Sequence, residues 1–168
     1  MDLQFVISRY DRELDRKETL TAAVGLPVTI LAVLGGLVVA MAQSFSYEAY
    51  GLTLTFGIGL SCDVGATAVC LYSLARNYAG STYQYLGRLH ELDVYRGIIV
   101  ATGTTPTDGR ADFDAEFRER IIEATDMNAT ANDARMAYID RANQTLIAVL
   151  VATAFCGGIY VLDQILKG

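Results

Sequence analysis

Long stretches of this sequence lack charge altogether. No Asp, Glu, Lys or Arg occurs between Thr19 and Tyr47, none but Asp63 between Ala49 and Ala75, and none between Ala142 and Leu162. Each stretch matches the ~20 apolar residues that a helix needs to cross a ~30 Å hydrocarbon core. Apolar residues make up 52% of the 168 positions, and the mean hydropathy is +0.31. Inside lipid every backbone N–H and C=O must find a partner within the segment, so such stretches are helices. The chain is therefore expected to be an all-α membrane protein with three transmembrane helices, at about residues 20–42, 51–75 and 144–166.

Other absences exclude whole classes of function. The sole histidine, His90, has no sequence-local Ser or Cys nucleophile, and no P-loop, GxGxxG or HExxH pattern occurs. No catalytic residue, enzyme activity or cofactor is expected. Cys62, Cys70 and Cys156 all fall within the spans without a CxxC pattern, so they are expected as small packing residues rather than metal ligands or disulfides. No repeat or β pattern is present. Residues 1–18 mix both signs of charge, and the apolar run that follows is too long for a signal h-region, so no cleavable leader is expected. A net charge of −6 argues against a purely electrostatic grip on nucleic acid.

The basic residues, Lys167 apart, fall in alternate segments flanking the spans. Arg9, Arg12, Arg16 and Lys17 precede the first span, while Gln43–Tyr50 contains no Lys or Arg. Arg76, Arg88, Arg96, Arg110, Arg118, Arg120, Arg135 and Arg141 lie between the second and third spans. By the positive-inside rule the N-terminus and the central segment face the cytoplasm of an inner membrane, and the C-terminus faces out.

Residues 1–18 carry Leu3, Val6, Ile7, Tyr10 and Leu14 at helical spacing. Such an amphipathic helix lies on the membrane surface, latches onto a neighbouring subunit, or packs on its own cytoplasmic segment. The first span contains Pro27 in its first third, where a kink is tolerable because neighbouring helices can satisfy the freed carbonyl. The second places Gly57, Ser61 and Gly65 at four-residue steps, a small-residue stripe that lets helices approach closely in lipid. Residues 76–143 read as a cytoplasmic pair of antiparallel helices. The first continues from the membrane through Tyr85, Leu86, Leu89, Leu92, Tyr95 and Ile99. A loop is expected over Thr102–Arg110, with Asp112 as the next N-cap. Phe113, Phe117, Ile121, Ala124, Ala131, Tyr138 and Ile139 then line a long helix running into the third span.

Three groups of residues are candidates for function. Asp63 lies mid-span, where an ionisable group costs roughly 2.5–3.5 kcal/mol on insertion scales and so faces protein or water. It marks either a pore wall or subunit contact, or a hydrogen bond to a nearby Ser or Thr. Tyr72, Tyr78, Tyr83, Tyr85 and Tyr95 cluster just after the second span. Aromatics there anchor the membrane interface or fill a core, and Tyr83 and Tyr85 are also placed to stack on a nucleobase. Asn128, Asn132 and Arg135, at i, i+4 and i+7, share one helix face. Their side chains suit base edges or polar subunit contacts, the alternative being a solvated juxtamembrane face.

Two stretches resemble a known family. One is Arg76-Asn77-Tyr78-Ala79-Gly80-Ser81-Thr82-Tyr83-Gln84-Tyr85-Leu86, followed by Leu92 and Tyr95. The other is Glu123-Ala124-Thr125-Asp126-Met127-Asn128, continuing through Asn132-Asp133-Ala134-Arg135 and Tyr138 to Ala142-Asn143. Together they resemble the membrane effectors encoded beside nucleotidyltransferases in anti-phage defence, of the Hailong type, over roughly residues 70–150. That family has Pro after Tyr-x-Tyr-Leu, where this chain has Gly87. The resemblance implies a homo-oligomeric channel, tetrameric by analogy, gated by a nucleotide or oligonucleotide signal and disrupting the membrane potential during infection. It implies ligand contact by Tyr83, Tyr85, Asn128, Asn132 and Arg135 and a pore formed by the spans, where Asp63, Ser61, Gly57 and Gly65 are the expected pore or intramembrane polar residues. Three spans are too few to enclose a water path, so conduction requires an oligomer. The rival expectation is a non-conducting scaffold or accessory subunit that recruits a cytoplasmic partner.

Overall fold

The computed structural model describes residues 3–79, 82–87, 89–102 and 105–167, with backbone alone at 89 and 106. Arg88 of the basic set, Gly80 and Ser81 of the first motif, Gly103 and Thr104 of the expected loop, and the Leu89 side chain lie outside the described residues. The described secondary structure is entirely helical: α1 (Leu3–Ala22), α2 (Gly25–Ser44), α3 (Tyr50–Ala79), α4 (Leu89–Thr102) and α5 (Pro106–Lys167). Among the described residues, three helical stretches are long and apolar enough to cross a membrane: Leu3–Ser44, Tyr50–Ala79 and Thr107–Lys167. Their 18-residue windows reach mean hydropathies of 2.4, 1.6 and 2.2.

Three element boundaries differ from expectation, each for a local reason. The first apolar stretch is not one helix from Leu20, because α1 ends at Ala22 and α2 starts at Gly25. Pro27 has no N–H to bond the Ala23 carbonyl, so the ladder is interrupted there. The Val24 N–H donates instead to the Thr21 carbonyl at 3.4 Å, and Pro27 sits in the first turn of α2, where a missing donor costs little. Second, the helix leaving the second span does not continue through Tyr85. It stops at Ala79, residues 82–87 have no regular structure, and α4 begins afresh. Third, the N-cap of α5 is Thr105 rather than Asp112, so the loop is shorter than Thr102–Arg110. Thr105 Oγ1 accepts the Asp108 N–H at 3.2 Å and donates to Asp108 Oδ2 at 2.6 Å. Pro106 fills the first helical position, as its fixed φ favours. Gly109 is consequently a packing residue of α5: a Cβ there would lie 2.7 Å from Val100 Cα and 3.0 Å from the Ile99 carbonyl oxygen.

The chain forms two compact units. The first comprises Met1–Thr19 and Ser81–Ala134. Its core is Val6 and Tyr10 of α1 against Ile121 and Ala124 of α5, with Leu3, Leu14, Leu86 and Phe117 packed around them. The apolar face of α1 is thus largely spent on this core, which fits the reading that it packs on the central segment. Helix α4 runs antiparallel along the start of α5, with Val100 against Gly109 and Tyr95 beside Phe113 at 6.3 Å between ring centroids.

The second unit comprises Leu20–Gly80 and Arg135–Gly168. One layer of its core joins Leu31, Cys70, Leu74, Ala142, Leu146 and Val149. Another joins Val38, Met41, Phe45, Phe56 and Cys156, with Phe45 stacked on Phe56 at 4.4 Å. Between α2 and α3, Tyr47 adopts the left-handed conformation at φ 57°, and its hydroxyl donates to the Ala42 carbonyl at 2.8 Å. This turn is pinned by Asp163, whose carboxylate accepts from the Ser46 N–H at 3.1 Å and from the Ser46 hydroxyl. Lys167 lies 3.2 Å from the same carboxylate.

Candidate functional site

In the second unit, Asp63 and the small-residue stripe occupy opposite sides of α3. Two positions along a helix correspond to ~200° of rotation, so Asp63 faces away from Ser61 and Gly65. Asp63 is only 4% exposed, and the Thr153 hydroxyl donates to its Oδ1 at 2.7 Å. A Cβ at Gly57 or Gly65 would touch nothing within 4 Å, and the exposed Ser61 hydroxyl donates to its own helix at the Gly57 carbonyl, 2.8 Å away. Gly59 provides the close approach instead. A Cβ there would fall 2.9 Å from both Cys156 Sγ and Phe155 Cδ1. Neither Gly59 nor Thr153 stood out in the sequence, because their importance lies in a pairing between α3 and α5, 90 positions apart for Asp63 and Thr153 and farther for Gly59 and Cys156.

The buried positions of α5 step by three and four residues from Ile121 to Cys156, as expected for one face of a packed helix. Asn128, Asn132 and Arg135 fall on this stripe and are 0%, 0% and 4% exposed, so they do not form a solvated face. In the first unit the Asn128 amide engages the backbone of Gln84 at both ends. Its Oδ1 accepts the Gln84 N–H at 2.9 Å, and its Nδ2 donates to the Gln84 carbonyl at 3.0 Å. The Leu86 N–H donates to the Tyr10 hydroxyl at 3.2 Å. Residues 82–87 are therefore a strap whose backbone groups bond side chains instead of a helical ladder.

Asn132 lies one turn further on. The Tyr83 hydroxyl donates to its Oδ1 at 2.6 Å, and its Nδ2 donates to the Glu13 carbonyl at 2.8 Å and to Glu13 Oε2 at 2.9 Å. Lys17 donates to the Tyr85 hydroxyl, and its ammonium lies 4.7 Å and 5.0 Å from the Tyr83 and Tyr85 ring centroids. Of the five ligand candidates, Tyr83, Tyr85, Asn128 and Asn132 are thus brought together at the strap, and only Tyr85 is largely exposed, at 58%. The fifth, Arg135, belongs to the second unit. Its Nε donates to Asn77 Oδ1 at 3.1 Å and its Nη2 to Thr21 Oγ1 at 2.9 Å. Asn77 in turn donates to the Leu20 carbonyl at 3.4 Å. The amides of Asn128 and Asn132 are engaged internally, so a ligand taking them must first open these bonds.

Beside the strap is a cleft of about 560 Å³, lined by strap residues, α4 and α5. Along one side, Tyr95 donates its hydroxyl to Glu116, while Arg120 lies 2.9 Å from the same carboxylate and 5.0 Å from the Tyr95 ring centroid. The phenol and then the guanidinium hold the Glu116 carboxyl below its usual range, and the bond to Glu116 raises the Tyr95 phenol. Among the described residues no group of three or more His, Cys, Asp or Glu side chains is arranged to hold a metal ion. No family model matches the sequence, and neither curated proteins nor solved structures yield a match.

Proposed function

We propose that the chain is a homo-oligomeric channel or pore of a bacterial inner membrane, gated by a nucleotide or oligonucleotide signal and acting as an anti-phage abortive-infection effector. The basic residues place the first unit, with its paired α4 and α5 helices, on the cytoplasmic side in this reading. The observation that carries it is the outward aspect of Gly57, Ser61 and Gly65. The protomer leaves this stripe unpacked, which gives a three-span chain a surface for association in lipid. The two motifs that resemble nucleotidyltransferase-linked effectors supply the signal class. A signal that competes for Asn128 and Asn132 releases the Gln84 strap, and differential affinity for strapped and released states is what such a ligand needs to shift the equilibrium.

The test is membrane depolarisation, followed with a voltage-sensitive dye in bacteria producing the chain with and without a partner nucleotidyltransferase. The comparison is wild type against Gly57→Leu/Gly65→Leu at matched membrane levels. Depolarisation that depends on the partner enzyme and disappears in the double variant supports the proposal. Absence of depolarisation under every condition, infection included, rejects it.

A second reading, a non-conducting scaffold that recruits a cytoplasmic partner, is favoured by one specific contact. Thr153 satisfies Asp63 within the protomer, so the intramembrane carboxyl requires no water path. A silent dye response together with stoichiometric co-purification of a soluble protein would select this reading.

A further inference from the structure

We infer that the cleft between α4 and the start of α5 is a binding site for a linear polyamine. At about 560 Å³ it falls in the size range of small-molecule sites. Leu86, Leu92, Phe113 and Phe117 provide its apolar lining, with the two Phe rings stacked at 5.6 Å. Such a surface takes methylene chains by simple burial.

The charged groups of the lining select the sign of the ligand. Glu116, Glu119 and Glu123 also line the cleft, at i, i+3 and i+7 of α5. They share a helix face and extend about 10 Å along its axis at 1.5 Å per residue. That spacing is commensurate with ammonium groups separated by three or four methylenes. Glu91 of α4 adds a fourth carboxylate, and Arg120 is the single described cation in the lining. The described lining thus favours a cationic ligand over a phosphate.

Arg120 itself illustrates the chemistry. It is a cation held against the Tyr95 ring and the Glu116 carboxylate at one side of the cleft. Aromatic faces and carboxylates together hold ammonium groups in the same way. Glu119 and Glu123 are exposed, and neither has an ion pair among the described residues, so they are open to such a ligand. The inference is independent of whether the chain conducts ions.

The experiment is calorimetric titration of the full chain in non-ionic detergent with spermidine. Wild type is compared with Glu119→Gln/Glu123→Gln and with Asp112→Asn/Asp114→Asn, which removes equal charge from exposed positions of α5 that do not line the cleft. Saturable binding is expected in wild type and the second pair, and binding about tenfold or more weaker in the first, for the loss of two charge-assisted contacts. Matching melting profiles verify that the variants fold. No saturable heat in wild type, or equal weakening in both pairs, overturns the inference, the latter because it would reveal only diffuse attraction to an acidic protein.

Discussion

The side-chain amide of Asn128 pairs with the peptide backbone of Gln84 at 2.9 Å and 3.0 Å, one hydrogen bond in each direction. An asparagine in the middle of a helix thereby does for a short strap what a neighbouring β-strand would do. Asn128 is fully buried whereas Gln84 is exposed, so removing the amide takes both partners from the strap at a point where water can reach the freed backbone groups.

Asn128→Ala is expected to destabilise the first unit by about 1–3 kcal/mol, from two lost bonds of about 0.5–1.5 kcal/mol each. Asn128→Asp retains an acceptor for the Gln84 N–H but opposes a carboxylate to the Gln84 carbonyl, and should be at least as damaging. Hydrogen exchange at the Gln84 amide checks this. Unchanged protection in both variants would show that the strap is held by other contacts.

Thr153→Val should cost about 1–3 kcal/mol, because it leaves Asp63 buried without its donor. Asp63→Asn in the wild-type background should cost less, since an amide can still bond the Thr153 hydroxyl. Thermal melts in detergent read the difference. An equal, negligible effect of both substitutions would mean that water reaches Asp63.

Gly59→Ala and Gly57→Ala should diverge although the residues are two positions apart. The new methyl at Gly59 meets Cys156 and Phe155 and should destabilise by about 1–3 kcal/mol through overpacking. At Gly57 it meets nothing within 4 Å in the chain, and helix propensity favours it by up to about 1 kcal/mol. Melting temperature separates the two. If Gly57→Ala lowers the oligomer size on native mass spectrometry, the outward stripe is an interface.

The Tyr95–Glu116–Arg120 cluster sets a pH dependence. The folded Glu116 carboxyl lies below its unfolded value, so its stabilising contribution is present above the unfolded value of about 4.3 and is lost as pH falls through the lower folded value. For Tyr95 the folded value is raised. Its contribution is full below about 10 and is lost as pH rises through the folded value. Melting profiles of wild type and Glu116→Gln should therefore converge in acid and stay apart near neutrality. A pH-independent gap would contradict this assignment.

The three apolar helices were legible in the sequence because lack of charge over some twenty residues is a local property, and a single apolar segment of that length satisfies its own backbone in lipid as a helix. The shared face of Asn128, Asn132 and Arg135 was legible too, from spacing alone. What occupies that face was not. A run of Asn, Asp and Arg suits a solvated helix as well as a buried network, and the partners of Asn128 and Asn132 lie 44, 49 and 119 positions away. The strap looked helical for a similar reason. Tyr85, Leu86, Leu89, Leu92, Tyr95 and Ile99 keep a helical rhythm, which cannot reveal that side chains elsewhere have claimed the backbone of Gln84 and Leu86. The small-residue stripe was visible, whereas the glycine at which α3 and α5 approach closely is Gly59. Periodicity is carried by neighbouring residues along one chain, so sequence alone determined where helices form and which faces differ. Hydrogen bonds join groups that only folding brings together, so tertiary structure decided that Asp63 is met by Thr153, that Asn128 holds Gln84, and that the polar face of α5 turns inward.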